Sequence, residues 1–217
     1  MHLQNRNVAY ALDAVEAAAR MGCHTFVGAG SQAEYGRVGG KLTPDTPTHP
    51  ETAYGIAKLC AGMMTRERAH QLGLRHVWVR VLSVYGPNDT EQSLIRATVN
   101  ALRADVAPKL TRGEQLWDYL YSADAAAAFR LLGERGIEGK IYVLGGGKSR
   151  PLADYIRELR DVVAPEMPLT FGELPYAEKQ VMHLEADISE LKADTGWTPK
   201  YTFREGIEAL LQTVSRL

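Results

Sequence analysis

Cysteine is nearly missing: Cys23 and Cys60 are the only two thiols in 217 residues. Two isolated thiols make neither a disulfide framework nor a zinc cluster, and they suit a reducing cytoplasm. No apolar run approaches the ~18 residues of a membrane span. The opening MHLQNRN has no apolar core of the kind a secretory signal carries. Excess charge is missing too, since a formal net charge of −1 offers no attraction to nucleic acid or an anionic membrane. His24, His49, His70, His76 and His183 lack metal-ligand spacing, so no metal site is expected. There is no internal repeat and no low-complexity tract. What is present, 45 % hydrophobic residues, suffices for one large core or one domain with an appendage.

The most informative stretch is PETAYGIAKLCAGMMTRERAHQLG, residues 50–73. Pro50 fits a first helical turn, where a missing N–H is tolerated, and Gly73 fits a helix end. Ile56, Leu59, Cys60 and Met63 keep a helical period between them. Tyr54 and Lys58 lie four apart and so share a face. An ammonium beside a phenol favours the phenolate, which suits acid/base work; in an arbitrary helix the same spacing is a solvated pair. Arg66, Glu67 and Arg68 read as the solvated side of this helix.

Around that helix the pattern alternates. Val8, Leu12, Val15 and Ala19 predict a helix over 5–21, closed by Gly22. Residues 24–30, HTFVGAG, read as a buried parallel strand, and the polar stretch SQAEYGRVGGKLTPDTPTHP reads as a long functional loop. Residues 76–87 predict a β-branched strand ending in Gly-Pro, and helical spacing returns at Leu94, Val99 and Leu102. An aromatic strand follows over 116–122, with Ser122 capping the alanine-rich helix behind it. KIYVLGGG (140–147) is another strand, after which Ser149 and Pro151 open the helix LADYIRELRDVV. Beyond Pro165 come a brief strand LTFGEL, a short helix ISELKADTG and an amphipathic helix over 203–217. The expectation is an α/β domain over 1–165, with substrate loops near 86–115, and a smaller α+β cap over 166–217.

Two glycine motifs invite over-reading. GAGSQA (28–33) satisfies G-x-G-x-x-A, but a loop follows it where a helix N-terminus would have to meet a pyrophosphate. GGGKS (145–149) ends like a phosphate-binding loop, yet Tyr142 stands where that loop needs its first glycine. Gly147 and Ser149 read instead as a turn and a helix cap.

Five ordered segments carry a resemblance: GSQAEYG, Tyr54-Gly-Ile-Ala-Lys58, RVLSVYGP, WDYLYSADAAAA and DISELKADTGWTPK. Together they resemble the extended short-chain dehydrogenase/reductase family of nucleotide-sugar epimerases, dehydratases and reductases. The resemblance implies the C-terminal half of a Rossmann-like doubly wound parallel sheet with a small substrate-binding cap, and NAD or NADP as cofactor. It implies that Ser31, Tyr54 and Lys58 are catalytic. Ser31 would hold the reacting oxygen, Tyr54 would take the hydroxyl proton, and Lys58 would hold the nicotinamide ribose. Leu82 would touch the nicotinamide. Gln32, Ser83, Ser93, Leu94, Trp117, Asp118 and Lys179 would contact a sugar substrate, although Trp117 and Tyr119 also read as core aromatics.

The chain departs from that family in ways that matter. The family's glycine-rich loop and adenosine-ribose acid are missing, so this chain alone is expected to bind NAD(P) weakly and to need a completing N-terminal segment or a homo-oligomer partner. Gln32-Ala33 replaces the Asp-Glu that many relatives use for 4,6-dehydration, which favours epimerisation or keto reduction. Trp117 stands in place of an arginine, and Glu178-Lys179-Gln180 replaces a later Arg-x-Gly-Asp. Those arginines would clamp a diphosphate bidentately. A family fragment without turnover, acting as a binding or assembly module, is the alternative reading.

Overall fold

The computed structural model describes residues 2–214. Helix α1 (His2–Arg20) leads into strand β1 (Thr25–Ser31), and a single 3₁₀ turn, Gln32–Glu34, opens the long loop. Helix α2 (Ala53–Gln71) and strand β2 (Arg75–Val81) follow, then β3 (Ser83–Tyr85), α3 (Leu94–Arg103), β4 (Leu116–Trp117) and β5 (Tyr119–Tyr121). Helix α4 (Ser122–Arg135), β6 (Ile141–Leu144), β7 (Arg150–Pro151), α5 (Leu152–Val163), α6 (Ser189–Thr195) and α7 (Phe203–Val214) complete the chain. Among these, no helix is long and apolar enough to cross a membrane.

The sheet is parallel, in the order β1-β2-β6, with Thr25 opposite Arg75, Ser31 opposite Val81 and Trp78 opposite Ile141. β2 is buried on both faces, as a central parallel strand must be. Its alternation assigns the partners. Val77 and Val79 face a core with Leu132 of α4, Leu144 of β6 and Leu191 of α6. His76, Trp78 and Arg80 point the other way, toward α2. The Trp78 indole fills this side, and Gly28, Gly30 and Gly62 make room for it: a Cβ on them would lie 2.3, 2.4 and 2.6 Å from its ring. Beyond the sheet, β3 and β5 pair in parallel, and α3, α5 and α7 pack around Tyr85, Val99, Leu159 and Ile207.

Several local expectations change. Thr52, not the turn at Pro50, caps α2: its hydroxyl accepts from Gly55 N at 3.0 Å. The strands expected over 76–87 and 116–122 each break in two, at Leu82 and at Asp118. Ser122 lies inside α4, whose N-cap is Tyr121 without a side-chain bond. Ser149 does not cap α5; its hydroxyl donates to Glu185 instead. LTFGEL is not a strand but a single bridge between Leu110 and Phe171. Residues 215–217 of the expected terminal helix lie outside the described residues.

Two buried carboxylates brace this scaffold. Glu34 is fully buried; one oxygen accepts from Ser31 N at 2.8 Å and from Trp78 Nε1 at 3.1 Å. Its other oxygen pairs with Arg80 Nε at 2.9 Å, and Arg80 donates onward to the Pro44 carbonyl. Asp118 is likewise fully buried and accepts from Gly146, Gly147 and Ala186 N–H at 2.6, 3.0 and 3.0 Å. It thereby ties the glycine loop after β6 to residues 182–187, which thread between Leu42 and β4. Burial pushes the Asp118 carboxyl up to about 6, against the three backbone donors that lower it.

Glu34→Ala leaves the Arg80 guanidinium buried without its partner and should cost about 3–5 kcal/mol in urea unfolding. A loss below about 1 kcal/mol would show that the pair contributes little. Because the folded state holds its Asp118 proton more tightly than the unfolded state does, stability should fall as pH rises from about 4 to about 6. Unfolding series at pH 4, 5, 6 and 7 should show that slope in the native protein and a flatter one in Asp118→Asn.

Candidate active site

Helix α2 begins against the end of β1. A Cβ on Gly55 would sit 2.2 Å from the Ala33 carbonyl oxygen, so the first turn of α2 lies directly on the 3₁₀ turn that follows Ser31. One turn further, Lys58 Nζ donates to the Ala29 carbonyl at 2.8 Å. Its ammonium lies 5.8 Å from the centroid of the Tyr54 ring, and Tyr54 is 41 % exposed. The helical spacing thus puts phenol and ammonium side by side, and the packing of α2 places them at the C-terminal end of β1.

Ser31 closes that strand. Its Oγ accepts from Ala33 N at 3.2 Å, and Glu34 returns the bond by accepting from Ser31 N, a capping box. The hydroxyl hydrogen is not consumed by this arrangement, so Ser31 keeps a donor for another oxygen. Half-buried Gln32 comes next. Ser31 thus ends the strand whose Ala29 carbonyl holds Lys58, and the first turn of α2, which carries Tyr54, lies on the 3₁₀ turn behind it.

The other expected contacts distribute differently. Leu82 is buried with Tyr35, Leu42 and Val143. Ser83 Oγ accepts from Trp117 Nε1 at 2.8 Å, and Ser93 caps α3 by accepting from Arg96 N at 3.3 Å. Both hydroxyls have local structural work. Asp118, expected to touch substrate, has its oxygens turned inward to backbone N–H groups. Lys179 is exposed and acts on Glu51, whose carboxyl Arg37 chiefly holds below the usual range through a 2.8 Å hydrogen bond. Leu94 and Trp117 do meet, on the wall of a cavity of about 270 Å³ that Leu110, Gln115, Phe171 and Gln180 also line.

Sequence reasoning missed Glu34, Arg80, Gln115 and Gln180. A signal existed for Glu34: a Glu three residues after a Ser is the capping-box pattern. The glycines of both motifs pack against side chains. Gly28 and Gly30 accommodate Trp78, and Gly145 and Gly146 close around the Asp118 carboxylate, where a Cβ would meet its oxygens at 2.8 and 2.6 Å.

Comparison with known proteins bears on the family and the fold. The family model described as NAD dependent epimerase/dehydratase family matches residues 2–145. The chain is 28 % identical over 184 residues to a dTDP-glucose 4,6-dehydratase of Xanthomonas campestris, covering 80 % of this chain and 52 % of that one. A dTDP-glucose 4,6-dehydratase of Escherichia coli is 29 % identical over 177 residues, covering 76 % and 49 %. The chain thus spans about half the length of these relatives. Among solved structures, a UDP-glucose 4-epimerase of Thermotoga maritima, determined with UDP-glucose, superposes with a TM-score of 0.86 at 22 % identity, covering 98 % of this chain and 70 % of that one. A dTDP-glucose 4,6-dehydratase of Bacillus anthracis, determined with NAD, gives 0.82 at 20 % identity, covering 98 % and 68 %. With the family model matched over residues 2–145, the chain belongs to the NAD-dependent epimerase/dehydratase family.

Proposed function

We propose that this chain carries the proton-transfer part of an NAD(P)-dependent epimerase or keto-reductase acting on a nucleotide-sugar or a related sugar. The observation behind the reading is the Lys58 bond to Ala29 in the strand that Ser31 closes, with the Tyr54 phenol one turn earlier on the same helix and open to solvent. A nicotinamide, when bound, supplies the hydride acceptor and donor. The donor set suits its ribose: Lys58 gives one of its N–H groups to Ala29 and keeps others for sugar hydroxyls. The Tyr54 oxygen takes the proton of the reacting hydroxyl and returns it in the reverse direction. Ser31 donates to the same substrate oxygen and fixes its position. Gln32 follows Ser31 directly, and Leu94 and Trp117 line the cavity that would take part of the substrate.

Epimerisation or keto reduction is favoured over dehydration, although the relatives compared above include dehydratases. Gln32 and Ala33 bring no acid after Ser31, and Glu34, the nearest carboxylate, is committed to Arg80. The remainder of a dinucleotide needs another cradle: Ser31 leads into a 3₁₀ turn and a loop rather than a helix N-terminus, and Gly145 and Gly146 close on Asp118. Among the described residues β1 ends the sheet order and pairs with β2 alone. A completing N-terminal segment or a second copy of the chain would occupy that edge. The same open edge favours a second reading, a family fragment without turnover that serves as a binding or assembly module.

Titrating the purified chain with NADH and following nicotinamide fluorescence separates the two readings; no binding at millimolar NADH supports the module. If UDP-glucose or dTDP-glucose is turned over, Tyr54→Phe should lower kcat by about 10²-fold or more. An unchanged rate would remove Tyr54 from the chemistry.

A further inference from the structure

A second groove lies between α5, the glycine loop after β6 and the segment that leads into α7. Its volume of about 360 Å³ falls within the roughly 300–1,000 Å³ of small-molecule sites. Ser31, Tyr54 and Lys58 do not line it, and it shares only Tyr119 with the cavity beside Trp117.

Arg150 is already set in place here. Its guanidinium carbon lies 3.9 Å from the centre of the Tyr155 ring and 5.6 Å from that of Phe203, and it donates to the Glu158 carboxylate. Rings and carboxylate hold the cation flat, and the pair's charges balance. Lys148 differs. It is exposed, lines the same groove, and has no hydrogen-bond or ion-pair partner among the described residues. Lys148, Arg150 and Glu158 are the charged residues of the lining, so one positive charge is left unanswered.

Tyr201 supplies a flat wall. Its ring is 43 % exposed although it packs 4.9 Å from Tyr121, and its backbone is fixed by a 3.0 Å bond from Tyr201 N to Asp124. A ring held this way stacks a second ring with little loss of side-chain freedom. Charge balance limits what that ring can carry. One negative charge answers Lys148, whereas a second would face Glu158. An exposed ammonium alone holds an anion weakly, so the ring contact has to supply the rest.

We propose that this groove binds a flat monoanion, an aromatic ring bearing one carboxylate, with the carboxylate on Lys148 and the ring against Tyr201. The assignment requires nothing of the hydride-transfer reading.

Calorimetric titration of the full chain with benzoate, benzamide, cyclohexanecarboxylate and inorganic phosphate tests it. Benzoate should bind more tightly than the other three, which in turn lack the charge, the flat ring and the ring altogether. Lys148→Gln should weaken benzoate about fivefold, the most an exposed ion pair supplies, and Lys148→Arg should keep the native affinity. Tyr201→Ala should weaken it by a similar factor, and Tyr201→Phe should not. Lys148 is exposed, so Lys148→Gln should melt with the native chain. Absence of benzoate binding at millimolar concentration overturns the proposal, as does unchanged affinity in Lys148→Gln. Benzamide, cyclohexanecarboxylate or phosphate binding as tightly as benzoate overturns it too. Benzoate affinity that falls in Lys109→Gln but not in Lys148→Gln puts the probe in the cavity beside Trp117 and has the same consequence. Heat of binding is read without turnover, so a chain inert toward NADH tests the groove equally well.

Discussion

Helix α2 reaches β1 and β2 closely because glycines remove side chains from its path. Gly62 accepts the Trp78 indole on the helix side, Gly28 and Gly30 accept it on the strand side, and Gly55 lies on the Ala33 carbonyl. With any larger residue at these points the helix would stand off the sheet, because a Cβ at any of the four would lie within 2.6 Å of a neighbouring atom. That close approach is what lets Lys58 reach the Ala29 carbonyl at 2.8 Å. The proximity of Tyr54, Lys58 and Ser31 is a consequence of packing at residues that themselves carry no chemistry.

The buried carboxylates Glu34, Asp118 and Asp124 are each answered by several donors. Glu34 meets Ser31, Trp78 and Arg80; Asp118 meets three backbone N–H groups; Asp124 accepts from Lys200 and Tyr201 N–H, each at 3.0 Å. Each carboxylate joins segments far apart in the chain, so satisfying it and holding the tertiary fold are the same act. Glu34 has a second consequence. By accepting from the Ser31 N–H it fixes the backbone at the end of β1 and leaves the serine hydroxyl to point elsewhere.

Much of the frame was legible in the residues. The β-branched run at 75–81 can only be a buried strand, and the Tyr54–Lys58 spacing fixes a shared helical face wherever that helix lies. The expected helices at 5–21, 152–163 and 188–196 follow from their apolar period, the first and last with closing glycines, Gly22 and Gly196, both at positive φ, and they form as His2–Arg20, Leu152–Val163 and Ser189–Thr195. Hydroxyl roles were less legible. Ser122 and Ser149 look like caps in sequence, but a cap needs the side chain to turn back on its own backbone, and Ser149 finds Glu185, 36 positions away, instead. Asp118 looks like a ligand contact beside Trp117 until the glycine loop folds over it.

The chain's own order of residues determined the α/β alternation, the helical face shared by Tyr54 and Lys58, and the capping box that holds Ser31, because each depends on neighbours within one or two turns. Tertiary structure decided which polar groups are spent and which are left. Arg80 meets Glu34 across 46 positions and Trp117 meets Ser83 across 34, while the Gln115 carboxamide oxygen finds no partner among the described residues. No local pattern encodes those outcomes, since whether a buried polar atom finds a partner depends on which distant backbone or side chain the packing brings within about 3 Å of it.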